Sequence, residues 1–227
     1  MRVAGADVCR KGWVAVLYDG STAEVCVFPD FESLWDELRA EVRLVLADIP
    51  IGLPAAKRRS CDVMARRLLG WPRSSSIFPV PCRQAVYASS YREASMLSLK
   101  LTGRRLSLQS WNICARIREV DALLLECRRA REKVRETHPE VCFAGLAGRA
   151  MRHSKRSEAG REERRRVLRR WCGSAEAADV PAHDLLDALA AAVSAWLGVQ
   201  QGFEVLPAKP EHDSMGLRME ILYAKGG

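Results

Sequence analysis

Apolar and polar positions divide the first fifty residues into four strand-like runs and one helical pattern. Residues 2–8, Gly12–Tyr18 and Glu24–Phe28 read as strands, parted by the turn residues Arg10, Lys11 and Gly12 and then Asp19, Gly20 and Ser21. Connections this short join antiparallel neighbours, so the three form a meander. Asp30 is placed to cap "FESLWDELRAEV", in which Leu34, Trp35, Leu38 and Val42 recur at helical spacing. "RLVLADIPIG" is then a continuous apolar run closed by Asp48, Pro50 and Gly52, the pattern of a strand buried on both faces.

From about residue 55 to 130 the pattern turns helical. A helix capped by Ser60 runs to Leu69 and stops at "GWP", because Gly70 suits the left-handed position past a helix end and Pro72 cannot continue one. "SSSIFPVPCR" holds too much proline for a helix, and two more helices are predicted at Tyr91–Leu101 and Leu108–Arg131. The block reads as a helical insertion within one domain spanning 1–227. "VRETHPEVCFAGLAG" reads as a fifth strand, with Pro139 at its edge or start, and "SEAGREERRRVLRRW" as a basic helix. After Pro181, "AHDLLDALAAAVSAWLGV" is a helix with Leu185, Leu189, Val193 and Trp196 toward the core, and "GLRMEILYA" is a final strand. The class is α/β.

Composition narrows this picture. With 227 residues, 48% of them hydrophobic, the chain can bury a substantial core. The apolar stretch Leu185–Leu197 is broken by Asp187 and is short for a bilayer, and the first residues lack a signal-peptide pattern, so a cytoplasmic protein is expected. The eight cysteines are scattered, with no C-x-x-C spacing, and read as small buried hydrophobes. The formal charge is +8, and Arg152–Arg170 alone holds nine basic and three acidic residues. A concentrated basic segment favours a polyanion such as nucleic acid, whereas the Glu162–Arg166 spacing also suits a solvated helix face.

Five acids stand at or near element ends. Asp7 closes the first strand, Asp48 closes the fourth, Glu140 lies in the predicted fifth, and Asp184 with Asp187 opens the long helix. Singly, each has an ordinary role as a turn, cap or helix-dipole residue. Positions 184 and 187 share a helix face that continues through Ala188, Ala191 and Ala195, small residues that let a helix approach a sheet closely. Convergent carboxylates of this kind suit Mg²⁺ or Mn²⁺, and two such ions about 3.5–4 Å apart serve phosphodiester hydrolysis.

The stretches "GADVCRKGWVAV", "ADIPIGLP", "RSCDVMARRLLG", "SSSIFPVPCRQAVYA", "LSLQSWNICARIREVD", "ETHPEVCFAGLAG" and "HDLLDALAAA" together resemble a predicted ribonuclease H-like nuclease family catalogued as domain of unknown function 429. The resemblance implies a ribonuclease H-like mixed five-stranded sheet flanked by helices, with the insertion at 55–130. It also implies metal ligands at Asp7, Asp48 and Asp187 or Asp184, with Glu140 at the rim. Phosphate contacts would come from Arg83, Ser75, Ser76 and Arg116, the last standing where the family usually has lysine.

From the residues themselves, Arg10 and Lys11 flank the Asp7 turn where a phosphate could approach, while Lys155 and Arg161 could grip a backbone. Trp71, between Gly70 and Pro72, is the tryptophan placed for base stacking. His138 and Cys142, four apart on a strand, would stand too far apart to share a metal. The leading expectation is a metal-dependent nuclease acting on DNA or RNA. A nucleic-acid-binding protein without catalysis and a small-molecule phosphate-ester or phosphotransfer enzyme are the alternatives.

Overall fold

The computed structural model describes residues 1–173 and 180–227. Strands β1 (Arg2–Cys9), β2 (Gly12–Tyr18) and β3 (Ala23–Phe28) form the expected antiparallel meander. Helix α1 (Phe31–Leu38) follows, with the Asp30 carboxylate accepting from the Ser33 N–H at 2.7 Å. Strand β4 (Val42–Ala47) lies parallel to β1, and β5 (Val134–Glu136) lies parallel to β4. The order β3-β2-β1-β4-β5 gives a mixed five-stranded sheet flanked by helices, consistent with a ribonuclease H-like fold.

Between β4 and β5 come α2 (Ser60–Leu69), a 3₁₀ turn at Arg73–Ser76, and helices α3 (Arg83–Val86), α4 (Tyr91–Thr102), α5 (Leu108–Asn112), α6 (Cys114–Glu126) and α7 (Arg128–Lys133). Ser60 opens α2 rather than capping it, and its hydroxyl donates to Glu211 at 2.7 Å. The helix predicted over 108–131 is three pieces, broken at Ile113 and at Cys127, whose backbone is extended.

The larger correction concerns residues 134–148. The strand is only β5, and Pro139 starts α8 (Pro139–Ala147), so Glu140 sits in a helix's first turn and not in a strand. Proline is favoured at the first helical position, and Gly148, at φ 69°, ends the helix. The side chains of α8 are buried almost all round, and a short run apolar on every side carries no period to separate buried helix from buried strand.

Helices α9 (Glu158–Leu168) and α10 (Ala182–Gln201) follow, and then β6 (Glu204–His212) pairs antiparallel with β7 (Arg218–Tyr223) in a second, two-stranded sheet. β6 carries Pro207 and Pro210, which the ladder tolerates because the strand pairs on one side alone.

Side chains alternate across the main sheet. Trp13, Ala15 and Leu17 pack with α1 and with Ile117, Val120 and Leu124 of α6, while Val14, Val16 and Tyr18 face α8 and α10. A Cβ on Gly5 would stand 2.2 Å from the Ala188 carbonyl oxygen and 2.2 Å from the Ala192 nitrogen, so glycine is what lets α10 lie on β1. Ala188, Ala191, Ala192 and Ala195 are fully buried there, as the small-residue stripe predicts. By length and composition α10 could cross a membrane, yet it is mostly buried against this sheet.

Candidate active site

Parallel pairing of β1 with β4 sets the first two acids side by side. Ala6 is the partner of Ala47, and Asp7 and Asp48 are the next residues on each strand; the Asp48 N–H donates to the Ala6 carbonyl at 2.8 Å. Asp7 is buried, and its Oδ1 accepts from the Val8 N–H at 2.7 Å. The close seat of α10 on Gly5 brings Asp187 to the same end of the sheet, buried, with Asp184 one turn earlier and less covered.

The acids feel one another. Burial first, and then the charges of Asp48 and Asp187, hold the Asp7 carboxyl well above its ordinary range. Burial pushes Asp187 up to about 7 against the pull of Lys155, and it raises Asp48 against His138 and Lys155. Asp184 is raised by burial too, with His183 and Lys155 opposing. Lys155 donates to Asp187 Oδ2, while Asp187 Oδ1 is buried with no partner. Although burial opposes its charge, the fields of Asp187, Asp7 and Asp48 raise the Lys155 pKa.

Lys155 therefore holds the place of a cation among four carboxylates. Among the described residues no three His, Cys, Asp or Glu side chains stand in a ready metal-binding arrangement. The donor chemistry nevertheless fits a hard divalent ion: chiefly carboxylate oxygens, more negative charge than one ammonium offsets, and an orphaned carboxylate oxygen within the cluster.

Neighbouring elements hold this end of the sheet in place. Arg59, fully buried, donates to Glu136 at 2.7 Å through each terminal nitrogen, to Asp62 Oδ1 at 2.6 Å and to the Ile51 carbonyl at 3.0 Å. It thereby fixes the chain that leaves Asp48. Glu163 accepts from the N–H groups of Arg152 and His153 at 3.0 Å, anchoring the loop that carries Lys155.

The remaining predicted site residues separate into groups. Glu140 influences Asp48 and Asp187 electrostatically, but its side chain is bound to the buried Arg164 of α9. Arg10 and Lys11 are exposed at the turn after β1. Arg83 is held by Asp121 at 2.6 Å and Asp213 at 2.6 Å, Arg116 by Glu119 at 2.6 Å, and Arg161 by Glu158, so these three guanidiniums have carboxylate partners within the protein. The Ser75 and Ser76 hydroxyls donate at 2.7 Å to the carbonyls of Pro72 and Arg73, closing the 3₁₀ turn.

His138, set aside in the sequence as a strand residue too far from Cys142 to share a metal, lies at the site. Once Pro139 begins a helix, His138 stands two residues past β5 as the residue before that helix, close enough to Asp48 to act on its charge, with its Nδ1 buried and unpartnered. The signal was the proline itself, which is as good a helix start as a strand start.

A family model described as "Protein of unknown function (DUF429)" matches residues 5–212. Comparison with curated proteins and with solved structures gives no match.

Proposed function

The chain belongs to the DUF429 family, whose description assigns no activity, and we propose on the chemistry of its acid cluster that it is a metal-dependent nuclease. Asp7, Asp48 and Asp187 would hold Mg²⁺ or Mn²⁺, with Asp184 at the rim. The observation that carries this reading is the gathering of acids from three elements at one end of the sheet, Asp7 and Asp187 buried and Asp48 partly buried, with one Asp187 oxygen unpartnered. Buried acids so arranged are costly to the fold, and such clusters mark functional sites. The strand order, with acids at adjacent ends of β1 and β4 and on α10, supports a ribonuclease H-like superfamily reading.

When bound, a pair of divalent ions supplies an activated water and stabilisation of the leaving oxygen. The chain's own groups do the positioning. The Val8 N–H orients Asp7, the β1–β4 register fixes Asp48, and Lys155 neutralises and orients Asp187. Arg10 and Lys11 would meet the phosphate at the turn beside Asp7. The test is a cleavage panel on DNA and RNA with each metal. Asp7→Asn and Asp187→Asn should each lower the rate more than about 100-fold, beyond the usual effect of a residue that only supports a ligand. Full activity in a folded Asp7→Asn protein would overturn the mechanism.

One observation favours a second reading, a nucleic-acid-binding protein without turnover. Asp187 already has a protein cation in Lys155. Salt-sensitive binding with no cleavage under any divalent metal would select it.

A further inference from the structure

The sequence locates the basic surface on residues 152–170, but the structure neutralises much of it. Arg161 and Arg165 pair with Glu158, Arg166 and Arg169 with Glu162, Arg164 with Glu140, and Lys155 with Asp187. The unbalanced charge lies elsewhere. Residues 55–80 hold Lys57, Arg58, Arg59, Arg66, Arg67 and Arg73 against one acid, Asp62, which Arg59 occupies. Among the described residues no carboxylate pairs with Lys57, Arg58, Arg66, Arg67 or Arg73. Arg66 donates to the Ile77 carbonyl, and among the described residues Arg73 Nε is buried without a partner.

Trp71 stands in the middle of this segment and is 90% exposed, while each of the other five tryptophans is buried or partly buried. Its presentation is built. Leu69 is buried and anchors the end of α2, Gly70 takes φ 62°, and the 3₁₀ turn after Pro72 is closed by the Ser75 and Ser76 hydroxyls. Arg66, Arg67 and Arg73 lie within five residues of Trp71, and Lys57 and Arg58 precede the other end of α2, about 15 Å along the helix.

We propose that Trp71 is a stacking platform for an unpaired nucleobase, with Arg66, Arg67 and Arg73 as its phosphate contacts, so that this surface binds single-stranded nucleic acid. An indole face offered to solvent among unpaired cations matches the two chemistries of a single strand, an exposed base and a polyanionic backbone. A duplex offers only the second, because its bases are already stacked. The inference rests on the nucleic-acid reading above and names the form of the substrate.

The test uses the full chain in EDTA and a fluorescein-labelled oligothymidylate of about twelve nucleotides, read by anisotropy beside a duplex of equal length and anionic phospholipid vesicles. Trp71→Ala should weaken oligothymidylate binding by about five- to a hundred-fold, with duplex binding unchanged and Trp71→Phe largely restoring affinity. Replacing Arg67 and Arg73 with Gln should flatten the salt dependence. Wild-type affinity in Trp71→Ala overturns the proposal, as does an equal loss for duplex. So does a loss confined to vesicles, which would make the surface a membrane contact. The outcomes separate from the nuclease reading: binding through Trp71 without metal-dependent cleavage retains this surface and removes the catalysis, whereas cleavage with Trp71-independent binding does the reverse.

Discussion

Lys155 donates to one oxygen of Asp187 and leaves the other buried without a partner. An ammonium supplies one charge and a few donors to a cluster that also holds Asp7, Asp48 and Asp184, so the cluster stays under-neutralised. Removing Lys155 should then act in opposite directions on the two states. Lys155→Met is expected to destabilise the metal-free protein by about 1–3 kcal/mol, the cost of a buried charge losing its partner. It should also tighten Mn²⁺ binding, because the ion no longer competes with a tethered cation. Thermal denaturation in EDTA and calorimetric titration with Mn²⁺ check the two halves, and weaker Mn²⁺ binding would show that Lys155 supports the ion instead.

The carboxyl of Asp7 is raised chiefly by burial and then by its acidic neighbours. An acid whose folded pKa lies above its unfolded value costs nothing below about pH 3.9, where both states are protonated, and destabilises the fold increasingly as pH rises above that. Asp7→Asn keeps an oxygen able to accept from the Val8 N–H and removes the charge. The variant should therefore be more stable than wild type in EDTA at pH 7, by about 0.5–2 kcal/mol, with the difference closing toward pH 3. Denaturant titrations at the two pH values measure it, and a less stable variant at pH 7 would mean that the charge is already compensated.

Much of this arrangement was legible in the chain because it sits on strongly patterned elements. Asp7 and Asp48 each end an apolar run, and parallel pairing makes them neighbours; the alanine stripe after Asp187 marked the helix face that approaches the sheet. What stayed hidden depends on partners distant in sequence or on runs with no period. Apart from Glu140, residues 139–147 are apolar on every side, so the helix that follows His138 and carries Glu140 looked like a strand. β6 was masked by Pro207 and Pro210. The pairing of Arg59 with Glu136, 77 residues apart, and the sharing of Arg83 between Asp121 and Asp213, follow from tertiary contact that no local pattern records.

Gly5 couples the fold to the site. Any β-carbon there would overlap the backbone of α10 at Ala188 and Ala192, and backbone atoms in a packed interface have little room to retreat. Gly5→Val should cost about 3 kcal/mol or more, and the surviving folded protein should bind Mn²⁺ weakly because Asp187 rides on the displaced helix. Thermal denaturation together with Mn²⁺ titration tests the coupling. Loss of stability with Mn²⁺ affinity intact would show that Asp187 is not positioned through this contact.

Glu163 controls the loop rather than the acids. Burial acts to raise its pKa, but the N–H groups of His153 and Arg152 and the Arg149 guanidinium outweigh that and lower it to about 2. A depressed folded pKa contributes stability that is complete above the unfolded value near 4.3 and is lost as pH falls toward 2. The contribution amounts to at most about 3 kcal/mol. Wild type should therefore lose stability between pH 4.5 and 2 more steeply than Glu163→Gln, while at pH 7 the variant should be the less stable of the two. Because Glu163 anchors the backbone two residues before Lys155, hydrogen exchange at residues 152–156 should also rise in the variant. Equal pH profiles would show that Glu163 adds nothing to the fold, and unchanged exchange would show that the loop is held from Lys155 itself.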